Sequence, residues 1–119
     1  MDNRNVGQSG EKIAANYLQK KGYKILHKNF HTHWGEIDII AEKNNKLCFI
    51  EVKTRINTSY GQPYEAVTDR KVQHLMRPIN YFLLQKKYKD YKLSLDVVSI
   101  ILNANKTINE IKHFENIYR

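Results

Sequence analysis

The chain has 119 residues, a length that fits one domain and leaves no room for two independent cores. Its 41% hydrophobic, 11% aromatic and 27% charged residues exclude a disordered tail, and no apolar run approaches the ~20 residues that span a bilayer. Lys and Arg number 20 against 12 Asp and Glu, and the formal charge of +8 is divided equally between residues 1–60 and 61–119. The excess therefore belongs to the folded body and favours polyanionic partners, nucleic acid first, with solvated lysines as the plain alternative.

Cys48 is the only cysteine, which excludes an internal disulfide and a thiolate zinc cluster. Its neighbours Leu47, Phe49 and Ile50 make it a small core residue. The start, Met1-Asp2-Asn3-Arg4-Asn5, has no apolar signal-peptide core, so a cytoplasmic protein with no membrane partner is expected.

Residues 8–21 read as a helix, with Ile13, Ala14, Tyr17 and Leu18 at helical spacing, Ser9 as a cap and Lys20-Lys21-Gly22 as a basic end and stop. At about 100° per residue, Glu11 projects about 20° from Leu18 and about 40° from Ala15, on or beside the buried face. A first-turn glutamate favoured by the helix dipole is the alternative. Tyr23 to Phe30 reads as a strand, interrupted by Thr32-His33-Trp34-Gly35.

Gly35 to Glu42 and Leu47 to Thr54 are β-prone runs joined by Lys43-Asn44-Asn45-Lys46, and paired Asn suits a tight hairpin turn. With the turn centred on Asn44-Asn45, Ile40 faces Phe49, Asp38 faces Glu51 and Glu36 faces Lys53, all four charged groups on one side. A three- or five-residue loop would shift the pairing by one. Carboxylates directly across two strands repel, and a divalent metal or a shared proton would resolve the conflict.

Thr54 to Pro63 reads as a loop exposing Arg55 and Tyr60. Helical spacing resumes through Val72, Leu75, Met76, Ile79, Phe82 and Leu83 after Arg70-Lys71, and Pro78 implies a kink or two abutting helices. Lys86, Lys87, Lys89 and Lys92, interleaved with Tyr88 and Tyr91, suit either a phosphate track or a solvated helix end. Leu93 to Leu102 is an apolar strand, and residues 108–114 form a last, amphipathic one. The order helix, three strands, helix, two strands describes an α/β chain, a mixed sheet flanked by helices, over residues 1–119.

Gly35-Glu36-Ile37-Asp38-Ile39-Ile40, Phe49-Ile50-Glu51-Val52-Lys53-Thr54-Arg55, and Gly61 through Val67 with Lys71 resemble the signature of the YraN-like family of predicted endonucleases. Gly10-Glu11, Gly22-Tyr23 and Asn29 extend the likeness upstream and Asp96-Val97-Val98 downstream. That family resembles Holliday-junction resolvases and restriction enzymes of the PD-(D/E)xK superfamily. The resemblance implies a restriction-endonuclease-like core and assigns Asp38, Glu51, Lys53 and Glu11 to the catalytic positions. Ile37 stands where the superfamily name has Pro.

The expected activity is metal-dependent hydrolysis of DNA phosphodiesters, selective for branched or flapped structure and linked to repair or recombination. Asp38 and Glu51, with the main-chain carbonyl of Val52, would hold Mg²⁺ or Mn²⁺. Lys53 would orient water or stabilise the transition state, Glu11 would ligate through water or complete a second site, and Glu36 would tune Lys53 or bind metal itself, with a plain surface strand residue as its alternative. Arg55, Arg70 and Lys71 are expected phosphate contacts, which position without reading sequence. Resolvase-like action would require a homodimer. The alternative is a catalytically silent nucleic-acid-binding module within a larger complex. His31-Thr32-His33 also offers a transition-metal pair, with plain loop histidines as its default.

Overall fold

The computed structural model describes residues 3–59 and 61–117, in the order α1 (Asn3–Lys20), β1 (Lys24–Thr32), β2 (Gly35–Lys43), β3 (Lys46–Arg55), α2 (Asp69–Phe82), β4 (Lys92–Leu102) and β5 (Ile108–Phe114). Short 3₁₀ turns at Pro63–Ala66 and Lys86–Tyr88 flank α2. Tyr60, expected as an exposed contact, lies outside the described residues. Among the described residues no helix is long and apolar enough to cross a membrane.

The five strands form one sheet in the order β1-β2-β3-β4-β5. Neighbours are antiparallel except β3 and β4, which run parallel because α2 carries the chain across between them. The result is a mixed sheet flanked by helices, an arrangement compatible with the restriction-endonuclease-like core that the resemblance implies.

Each face of the sheet is sealed by one helix. Ala14, Ala15 and Leu18 of α1 pack on Ile39, Ala41, Ile50, Val52, Val98 and Ile100. On the other face Val72, Leu75, Ile79 and Phe82 of α2 pack on Ile40, Leu47, Phe49 and Leu95. Alternate residues of β3 thus serve opposite cores, as period two requires.

The hairpin turn is the expected one. Asn44 and Asn45 both have positive φ, +51° and +60°, and Lys43 pairs with Lys46. Asn tolerates this left-handed backbone better than other residues with a Cβ. The turn fixes the register, so Ile40 opposes Phe49 and Ile39 opposes Ile50.

Two expectations are corrected. Helix α1 begins at Asn3, so Ser9 is an interior residue rather than a cap, and Glu11 lies well beyond the first turn. That removes the helix dipole as a reason for a carboxylate at position 11. Helix α2 runs through Pro78 as one element, so the proline does not divide it. Tyr88 stacks on Phe82 (5.5 Å, 25° between rings) and Tyr91 meets Tyr88 edge-on, so these rings serve the core while Lys86, Lys87 and Lys89 remain exposed.

Candidate active site

The ladder between β2 and β3 ends at the pair Ile39 and Ile50, while β2 stays paired to β1 as far as Gly35 and β3 stays paired to β4 as far as Arg55. The sheet therefore forks. A backbone N–H released at such a point needs a new acceptor. At Val52 that acceptor is the side chain of Asp38, whose Oδ2 receives the N–H at 2.8 Å. Asp38 and Glu51 are the first residues past the fork on the two strands, and both are buried, at 8% and 4% exposure.

Two lysines meet Glu51 there. Lys53 Nζ lies 3.7 Å from Glu51 Oε1, and Lys71 Nζ, from the first turn of α2, lies 3.5 Å from the same oxygen. Thr68 caps that helix by accepting the Lys71 N–H on its Oγ1 (3.3 Å), which sets where the lysine emerges. Lys71, expected as a phosphate contact, is thus placed in the carboxylate cluster itself. The nineteen residues between Glu51 and Lys71 hide this proximity, and a residue preceding an apolar helical run gives no signal of it.

Burial, then the Asp38 carboxylate, pushes the Glu51 carboxyl up to about 7 against the pull of Lys71 and Lys53. Asp38 also titrates above its usual range, because burial outweighs the Val52 hydrogen bond and Lys53. Glu51 Oε2 is buried with no hydrogen-bond partner among the described residues. Two crowded buried carboxylates with an unused acceptor oxygen suit a hard divalent cation, and Mg²⁺ is ordinarily held by one or two carboxylates while keeping several waters.

Glu11 approaches from α1. Burial and the nearby Asp38 and Glu36 charges raise its pKa, against a hydrogen bond from the Asn29 side chain. The close approach of α1 to β3 depends on Gly10, where an added Cβ would collide with the Thr54 side chain. Asn29 has φ +53° and falls between the pairs Lys28–Ile39 and Phe30–Ile37, opposite Asp38. An Asn in the middle of a strand, a poor β-former that tolerates left-handed backbone, was the available signal for this supporting residue.

Not every expected group joins the cluster. Glu36 does not face Lys53, because the ladder has ended. It is exposed and pairs instead with His31 across β1 (2.9 Å), which gives that histidine a carboxylate partner; His33 is exposed in the turn. Arg55 donates to the Gly61 carbonyl at 3.4 Å and braces the loop after β3, whereas Arg70 is exposed beside Lys71.

A second polar cluster lies between β4 and β5. Asp96, fully buried, receives Ser94 Oγ at 2.6 Å, the Asn116 N–H at 3.0 Å and His113 Nε2 at 2.8 Å. Glu115 receives the Tyr23 hydroxyl at 3.1 Å and pairs with Lys46 at 3.3 Å. Among the described residues, Asp96, His113 and Glu115 are the one His/Cys/Asp/Glu trio whose ligand atoms all lie within 4.8 Å of one another. Glu11, Asp38 and Glu51 are spread more widely. The Asp96 trio could hold a metal, yet both Asp96 oxygens are already engaged, and against the push of burial these hydrogen bonds hold the Asp96 carboxyl below its usual range. An acid inside the apolar run Leu93–Leu102 was the sequence signal for this network.

A family model described as "Uncharacterised protein family UPF0102" matches residues 10–100, a span that includes Glu11, Asp38, Glu51, Lys53 and Lys71. The chain is similar to the UPF0102 protein of Syntrophomonas wolfei, 45% identical over 116 residues covering 98% of this chain and 99% of that protein. It is 41% identical over 118 residues to the UPF0102 protein of Caldicellulosiruptor saccharolyticus, covering 99% and 100% of the two chains. A relative from Fusobacterium nucleatum is 44% identical over 101 residues, 85% of each chain.

Proposed function

The chain belongs to the uncharacterised protein family UPF0102, and we propose that it is a metal-dependent endonuclease of the PD-(D/E)xK type that hydrolyses phosphodiester bonds in DNA. The observation that carries this reading is the pair of buried carboxylates, Asp38 and Glu51, at the fork of the sheet with two lysines at 3.5 and 3.7 Å.

Asp38, Glu51 and the Val52 carbonyl would hold Mg²⁺ or Mn²⁺. When bound, such an ion lowers the pKa of water and offsets charge on the phosphate. The chain supplies the rest. The Val52 N–H fixes the Asp38 carboxylate, so its other oxygen is aimed without further reorganisation. Lys53 and Lys71 set two ammonium groups beside Glu51, where negative charge builds on a reacting phosphate, a form of stabilisation worth roughly 10²–10³ in rate per donor. Glu11, held by Asn29, would ligate through water or complete a second ion site. Arg70, exposed at the start of α2, would track the phosphate backbone. A structure-selective role in repair or recombination, a cytoplasmic setting and a homodimer for two-strand cutting belong to the same proposal.

A cleavage assay on linear, flapped, gapped and four-way-junction DNA, with Mg²⁺, Mn²⁺ or EDTA, tests this reading. Cutting that requires the metal and disappears in Asp38→Ala is expected. DNA binding without cutting under every condition would overturn it in favour of a silent binding module.

A further inference from the structure

We propose that the groove between the β1–β2 turn and the outer face of α2 seats an unpaired DNA strand beside the carboxylate cluster, its bases stacking on Trp34 and Tyr81 and its phosphates meeting Arg77. The inference rests on the nuclease reading for its substrate class and deepens it: the preferred DNA carries a single-stranded segment next to the scissile bond.

Large apolar side chains gather here against the usual pattern. Trp34 and Tyr81 are each 48% exposed and Leu84 is 75% exposed, and all three line one groove of about 500 Å³ with Arg77. A second hollow of about 500 Å³ shares Trp34 and Arg77 and continues to His74, towards the start of α2. Volumes of this size suit small-ligand groups such as a base and its sugar.

The aromatic platform is braced from behind. The Trp34 and Tyr81 rings lie 5.8 Å apart, Tyr81 leans on Phe30 at 6.3 Å, and Phe30 meets the core residue Phe82 edge-on at 5.4 Å. A ring held this way loses little freedom when a base covers it. The groove is cationic as well as aromatic. Among the described residues its lining contains no carboxylate, and Arg77 has no carboxylate partner within 4.0 Å.

Position links the groove to the site. Helix α2 presents Arg70, His74, Arg77 and Tyr81 along one exposed stripe, and its Lys71 reaches Glu51. At about 1.5 Å rise per residue, Arg77 stands about 9 Å and Tyr81 about 15 Å along the axis from Lys71. A strand leaving the carboxylates along α2 would meet the guanidinium first and the rings next. Interleaved cations and aromatic faces are how proteins hold single strands without reading sequence. Paired bases hide their faces, so the platform discriminates against duplex.

Trp34 is the only tryptophan in the chain, so its emission reports directly on the groove. The full chain is titrated with a 12-nucleotide oligothymidylate and with a duplex of equal length, in EDTA so that cutting plays no part. The expected result is quenching by the single strand, with about ten-fold or greater loss of affinity in Tyr81→Ala and Arg77→Ala, both exposed sites, and in Trp34→Ala read by anisotropy of a labelled strand. Unchanged emission while the labelled strand binds, or equal affinity in the three variants, would overturn the proposal. So would self-association abolished by the same variants without an effect on DNA, which would assign the groove to a second copy. Quenching without metal-dependent cutting would leave the groove standing and remove the nuclease reading; cutting that ignores single-stranded segments would do the reverse.

Discussion

Replacing Glu51 by Gln should stabilise the metal-free protein at alkaline pH, although Glu51 sits at the centre of the proposed active site. In the folded chain its carboxyl rises from an ordinary 4.5 to about 7, because burial and Asp38 oppose ionisation more than Lys71 and Lys53 favour it. A raised folded pKa means the native state binds the proton more tightly than the unfolded chain. Stability from this group is therefore complete below pH 4.5 and is lost as pH climbs through 7. A shift of that size corresponds to roughly 3 kcal/mol of lost stability once the group is fully ionised, at about 1.4 kcal/mol per pH unit. Gln keeps the shape and never ionises. In EDTA at pH 8 the variant should melt about 10 °C above wild type, with the advantage shrinking to under about 1 kcal/mol near pH 5. Urea unfolding and thermal melts across pH 4.5–8 measure both quantities. A variant that is neutral or less stable at pH 8, or whose difference ignores pH, would refute the placement of Glu51 as a crowded, buried acid.

Lys53→Met should reduce cleavage at least about 100-fold while leaving affinity for the same DNA in EDTA unchanged, as compared by single-turnover rates and anisotropy. Gly10→Ala should destabilise the fold by about 1–3 kcal/mol, because the new methyl meets Thr54, and Thr54→Ala in the same chain should recover only part of the loss in urea midpoint, since the Cβ of residue 54 stays 2.8 Å from the new methyl. His113→Ala should cost about 1–3 kcal/mol near pH 7 by leaving Asp96 Oδ2 buried without its hydrogen-bond partner. Since the Asp96 pKa is depressed, its stabilising contribution is present above the ordinary 3.8 and is lost as pH falls, so the variant's deficit should narrow in acid denaturation.

The parts of this molecule that were legible from sequence are those fixed by local chemistry. Asn44-Asn45 announced the turn because few residues accept two successive left-handed conformations, and the turn then set the register that brings Asp38 near Glu51. The strands Leu93–Leu102 and 108–114 followed from their apolar and amphipathic patterns, and the observed β4 and β5 agree within a residue. The start of α1 was missed because residues 3–8 contain a single apolar side chain, Val6, and so give no helical period. The end of the β2–β3 ladder was also invisible. Hydrophobic alternation continues past Ile39, and only the Val52 N–H turning to Asp38 marks the fork. That one backbone bond decides that Glu36 pairs with His31 rather than Lys53. Lys71 and the Asp96–His113 pair arise from contacts between residues far apart in the chain, which spacing along a sequence does not encode.

The central claim is that a divalent cation belongs at the fork. Crystals soaked in Mn²⁺ and measured for anomalous scattering test it most directly. The account predicts a peak bounded by the carboxylates of Asp38 and Glu51 and absent from Asp38→Ala crystals, whereas a peak only at Asp96, His113 and Glu115, or none at either cluster, would contradict it.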